Sequence, residues 1–174
     1  MNISNNVMSK SKNALQIAIC ITTLFLVYGA VHAQSEVSTG AVFDSISSDD
    51  RTKIVERYDR FIKSYTQHKF LEVYSLLSVN YLRGTQFTLD SDFVEFKQRY
   101  YSDPRTRFVS FVPHKVDEIT QGTWMIRGCL TEFVDGKRSR LKSTLNVWKE
   151  RDNYYFSDFS LVVISLNGTY EKCS

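Results

Sequence analysis

The apolar positions change their period along the chain, and the change divides it. From Arg51 onward, Ile54, Tyr58, Phe61, Ile62 and Tyr65 recur every three or four residues, the stripe of an amphipathic helix lying on something apolar. The SSDD run before it supplies cap candidates and first-turn acids. After TQH, Phe70, Val73, Tyr74 and Leu77 predict a second, shorter helix from Lys69 to about Ser78. NYLRGTQFTL is irregular, with Gly84 as a breaker, and reads as a short strand or a connection. Asp90 and Ser91 cap a third helix whose buried side is expected to hold Phe93, Phe96 and Tyr100, ending before Pro104.

Beyond Pro104 the period falls to two. TRFVSFV begins one strand, Pro113 interrupts it, and HKVDEIT continues it past a bend. TWMIRGCLTEFV follows, then the turn pair Asp135-Gly136, a strong hairpin signal. RSRLKSTLNVWK and NYYFSDFSLVV complete the set, joined by the polar turn ERDN. In the third strand Leu141, Leu145 and Val147 share a face with Ser139 and Ser143, while Arg138, Arg140, Lys142, Thr144 and Asn146 lie on the other. One face is covered and one wet, as in an antiparallel sheet with helices on one side. Helices followed by a long-stranded meander make the fold class α+β.

The first third has a different character. Met1 to Asn13 carries Lys10 and Lys12 and no acid, and LQIAICITTLFLVYGAV is mostly apolar, ending in VHA before QSE. A basic head, an apolar middle and small residues at Val31 and Ala33 form the pattern of a secretory signal peptide. Residues 1–33 are therefore expected to direct export and to be cleaved after Ala33. An uncleaved anchor competes, because the uncharged run from Asn13 to Ser35 is just long enough to span a bilayer, but Gln16, Thr22, Thr23 and His32 dilute it. Ile19 is bulkier than the small residue expected before an acylated Cys20, which disfavours a lipoprotein. Residues 34–48 are small, polar and aperiodic, and read as a flexible linker. Residues 49–174 then form a single domain.

The charge of the whole 174-residue chain is +3, and loss of the leader lysines leaves about +1, which is no nucleic-acid signature. A mature chain of about 140 residues buries close to 70% of its unfolded surface, enough for a proper core. Cys20 leaves with the leader, so Cys129 and Cys173 remain. An even pair in an oxidising compartment is expected to form a disulfide, worth roughly 3–4 kcal/mol on the chain-entropy model.

The run IVERYDRFIKSYTQHKFLEVYSLLS, a long helix and a tight turn before a short one, resembles the opening of the nuclear transport factor 2-like superfamily. TWMIRGCLTEF, a turn and STLNVWKERDNYYFSDF resemble its closing strands, with Tyr155 where a tryptophan is usual. The resemblance covers about Asp49 to Val163. It implies N-terminal helices packed in the concave face of a curved antiparallel sheet, a cone-like, cystatin-like roll with a pocket at its open end. It also implies membership of a group that holds ketosteroid-isomerase-like enzymes, dehydratases and many members without chemistry. No catalytic motif carries over position by position.

An isomerase or dehydratase of this shape needs a carboxylate desolvated against apolar walls. Glu132 shares parity with Trp124, Ile126 and Leu130, and Asp158 with Tyr154 and Phe156, so these two are the catalytic candidates. The competing reading puts Glu132 at a frayed strand end and Asp158 on a solvated face. His32, His68 and His114 have no ligand spacing, so no metal site is expected. There is no G-x-S-x-G, no P-loop and no dinucleotide fingerprint, so no cofactor is expected. The row Arg138, Arg140, Lys142 reads first as a solvated or edge-protecting face, and second as a surface for an anionic layer. Asn167-Gly168-Thr169 matches a glycosylation sequon.

Three functions fit. The foremost is an exported non-catalytic module that binds a small apolar ligand or forms a homodimer through its sheet. The others are a cofactor-free isomerase or dehydratase using a pocket carboxylate, and an interaction domain for another envelope protein. No nucleic acid is expected as a partner, and a membrane only through an uncleaved leader.

Overall fold

The computed structural model describes residues 39–87, 89–163 and 168–174. The expected signal peptide, the start of the linker and Asn167 of the sequon lie outside the described residues. Among the described residues five helices precede five strands: α1 (Thr39–Val42), α2 (Ser48–Thr66), α3 (Phe70–Ser75), α4 (Val79–Leu82), α5 (Asp90–Tyr100), β1 (Arg107–Thr120), β2 (Thr123–Val134), β3 (Lys137–Glu150), β4 (Asn153–Phe156) and β5 (Ser160–Leu161). The fold is α+β with an antiparallel sheet. No helix among the described residues is long and apolar enough to cross a membrane.

Helix α2 begins where the side chain of Ser47 accepts from the Asp50 backbone N–H, and Asp49 and Asp50 occupy the positive first turn. Its stripe of Ile54, Tyr58, Phe61 and Tyr65 is buried, and Phe61 packs on Phe156 of β4 with ring centroids 5.0 Å apart. The linker expected through Ser48 is shorter than that. Thr39–Val42 is helical, and Phe43 and Ile46 are buried in the same core as α2. Two isolated apolar residues in a polar run carry no period, yet the core takes them up.

Helix α5 departs from its expected face. Phe93 and Lys97 are buried, while Phe96 and Tyr100 are 46% and 43% exposed. The face turned inward runs through Phe93, Lys97 and the capping Tyr101 at intervals of four, and two aromatics beside it stand outward.

The sheet runs β1-β2-β3-β4, with β5 also on β3. Three register shifts interrupt the β1–β2 pairing, one of them between Pro113 and Lys115, and each such bulge bends its strand. Gly128 faces Pro113 there, and a Cβ on it would lie 2.6 Å from the Phe111 ring. The β2–β3 turn places Asp135 and Gly136 at φ 51° and 78°, the two positive values that an Asp-Gly hairpin supplies. In β3, Ser143, Leu145 and Val147 are buried, as their parity requires.

NYYFSDFSLVV is not one strand. It breaks at Ser157–Phe159, between β4 and β5. The Ser157 hydroxyl accepts the Asn146 N–H at 2.9 Å, and Asp158 Oδ1 accepts the Phe159 N–H at 2.8 Å. Side chains thus satisfy donors that a continuous ladder would use. The C-terminal tail then returns to β3, where Lys172 bridges Leu141. Cys173 is joined to Cys129 with 6.0 Å between their Cα atoms.

Candidate functional site

Two acid–tyrosine pairs meet where the end of α5 approaches the far ends of β2 and β4. Glu132 extends β2 on the parity of Trp124, Ile126 and Leu130, opposite Phe108 of β1 and Ser139 of β3. Its Oε1 accepts the Tyr101 hydroxyl proton at 2.6 Å. Asp158 sits in the break after β4. One of its oxygens accepts from the Tyr65 hydroxyl, and the other lies 2.6 Å from Lys97 Nζ. Neither acid occupies a frayed end or a fully solvated face.

The surroundings are aromatic. Lys97 Nζ lies 5.2 Å from the centroid of the Tyr65 ring, 5.6 Å from that of Phe93 and 5.9 Å from that of Phe96, which places its charge over π-faces. Tyr101 stacks on Phe70 and on His68, at 5.5 and 5.4 Å between centroids. Phe159 packs on Tyr65, Phe108 and Phe111. His68 thus serves as a ring in a stack; among the described residues no group of three or more metal-ligating side chains forms.

Burial dominates the electrostatics. It pushes the Glu132 carboxyl up, and the charge of Asp158 pushes the same way, against the hydrogen bond from Tyr101 and the charge of Lys97. Burial first, and then a neighbouring carboxylate, raises the hydroxyls of Tyr65 and Tyr101 (Asp158 and Glu132 respectively). Tyr81 is raised by burial and again by Asp158. With one cation for two acids, the group is closer to neutral when Glu132 holds its proton. Chemically, the arrangement offers a carboxyl tuned toward neutrality, a tyrosine donor beside it and a buried ammonium.

A second polar group ties the other end of α2 to the sheet. Asp50 accepts from the Tyr154 hydroxyl and pairs with Lys149 at 2.8 Å. Lys149, then Tyr154, hold its carboxyl down at about 2. This group clamps the helix start to β3 and β4.

The sequence singled out both acids but not their partners. Lys97 interrupts the apolar stripe of α5, and its signal in the sequence is the interval of four from Phe93 through Lys97 to Tyr101. Tyr65 lies on the expected α2 stripe and is core with its hydroxyl turned to Asp158, whereas Tyr101, just past the α5 pattern, turns its hydroxyl to Glu132. No protein-family model matches the chain, and no curated protein matches it.

Proposed function

We propose that the chain is an exported, single-domain module of the nuclear transport factor 2-like kind. In this reading the leader is cleaved near Ala33, and the sheet and helices form a cone whose mouth takes a small ligand with an apolar body and a polar head. One observation carries it: the convergence of Tyr101–Glu132, Tyr65–Asp158 and Lys97 among aromatic rings. The half-exposed Phe96 and Tyr100 stand beside this group and supply an apolar lip. A surface groove is lined by His68, Phe70, Leu71 and Val94, the first two of which stack on Tyr101. A ligand head exchanging hydrogen bonds with Glu132 or Lys97, and a body laid on Phe96 and Tyr100, match how such sites divide their work. Dimerisation through the outer face of the sheet is less favoured, because Arg107, Arg138 and Arg140 would face their own copies.

The test uses the mature chain from Gln34, which holds the whole described core and the disulfide. Native mass spectrometry should show a retained small molecule, or else anilinonaphthalene sulfonate, an apolar anion, should bind saturably. Phe96→Asp with Tyr100→Asp should weaken dye binding about tenfold. Neither retention nor saturable binding would set the reading aside.

A second reading rests on the raised Glu132 carboxyl. In it, ionised Glu132 takes a proton from carbon next to a carbonyl, Tyr101 donates to the enolate oxygen, and the proton returns to a different carbon. Such an enzyme would exchange α-protons of an enolisable ketone with deuterated solvent. Glu132→Gln should stop that exchange, and Tyr101→Phe should slow it. Exchange no faster than in buffer would remove the enzymatic reading.

A further inference from the structure

The outer face of the sheet, on the side away from the acid–tyrosine group, gathers unpaired cations at one end. Phe133 of β2 stands between Arg107 of β1 and Arg138 of β3 in the cross-strand register, and the Arg107 guanidinium lies 4.7 Å from its ring centroid. Two strand spacings separate the two arginines, about 10 Å. Arg140 follows on the same face, opposite Thr131. A groove at the β3 edge is lined by Lys137, Arg138, Arg140 and Lys172, with Asp135 as its carboxylate. Lys172 is brought there by the tail, which the Cys129–Cys173 bridge holds.

Apart from Asp135, which lines the groove itself, the nearby acids are committed elsewhere. Asp117 takes Lys115 and Arg127, Glu171 takes Lys142, and Asp103 takes Arg105. Among the described residues none of Arg107, Lys137, Arg138, Arg140 and Lys172 is in an ion pair. Holding these cations together costs self-repulsion that a multiply charged anion would relieve. Valines accompany them on β1: Val109 and Val112 are 37% and 41% exposed, and Val112 is opposite the bridged Cys129. Cations interspersed with exposed aliphatic side chains on a broad face suit a headgroup layer, where arginines meet phosphates and valines reach the acyl boundary.

We infer that this face docks on a bilayer of anionic phospholipid, independently of the leader and of the ligand mouth. A soluble acidic polymer would need the arginines and not the valines, and that separates the two occupants. The test is flotation of the mature chain, used because the leader would itself bind lipid, with vesicles of phosphatidylcholine alone or mixed with phosphatidylglycerol, in 0.15 M salt as a physiological screen. Binding to the mixed vesicles only is expected. Each cation is worth about fivefold, so Arg107→Gln, Arg138→Gln and Arg140→Gln together should weaken binding about a hundredfold. Val112→Ser should weaken it several-fold while leaving retention on an anionic polysaccharide column unchanged. Equal binding to both vesicle types, a triple variant that still floats, or retention on the polysaccharide with no flotation would each overturn the inference. Circular dichroism and dye binding at the mouth would confirm that the variants remain folded.

Discussion

Lys97 Nζ lies 2.6 Å from Asp158 Oδ2, although their side chains are only 11% and 14% exposed. Removing one member of such a pair strands the other away from water, whereas removing both removes the need. Asp158→Asn and Lys97→Met should each lower the unfolding free energy by about 3 kcal/mol. The double variant should lose clearly less than their sum. Urea denaturation of the four proteins of that cycle measures the coupling, and strict additivity would show that the pair is not acting as one.

How much of this was legible in the sequence differs by element. The α2 stripe and the β3 parity survive in the structure because each repeats often enough to average over exceptions, as Ile54, Phe61, Leu145 and Val147 show with zero exposure. The apolar pattern of helix α5 points one step out of phase with the face that is buried. Its short pattern offered Phe96 and Tyr100 as well as Phe93, and only the tertiary position of Asp158 explains why Lys97 turns inward. The last strand looked continuous because apolar residues persist through it, while the break depends on two side chains capturing backbone donors.

Stability should pass through a maximum in mild acid. Asp50 is held at about 2, below its unfolded value near 4, so its contribution is full above about pH 4 and is lost as pH falls toward 2. Glu132 is raised by burial. Its contribution is therefore full below its unfolded value of about 4.3 and is lost as pH rises through its folded one. Asp50→Asn should flatten the acid limb, and Glu132→Gln the limb above pH 4.3. Melting temperatures across pH 2 to 8 check both slopes.

Reduction should be costly. The bridge closes a separation of 44 residues, worth about 4 kcal/mol on the chain-entropy model. Cys173→Ser should lower the melting point and open the tail to proteases, with cuts near its end preceding global unfolding.

Gly128→Ala should be among the most damaging single changes. The added methyl would meet the Val112 carbonyl and the Phe111 ring, and backbone cannot yield as a side-chain tip can. A loss of about 3 kcal/mol is expected, at the upper end for overpacking. Gly122→Ala, with its nearest atom 3.5 Å away at φ 77°, should cost less, about 1 kcal/mol from backbone strain alone.

The returning tail does more than lengthen the sheet. Lys142 donates its N–H to the Glu171 carbonyl, and the Cys173 N–H is accepted by Arg140, so the last residues occupy backbone groups that would otherwise be an open strand border. Without the thiol crosslink that border would be free to recruit the same segment of another molecule, the first step of fibrillar growth. An oxidising environment thus guards the molecule against self-templating as well as against unfolding.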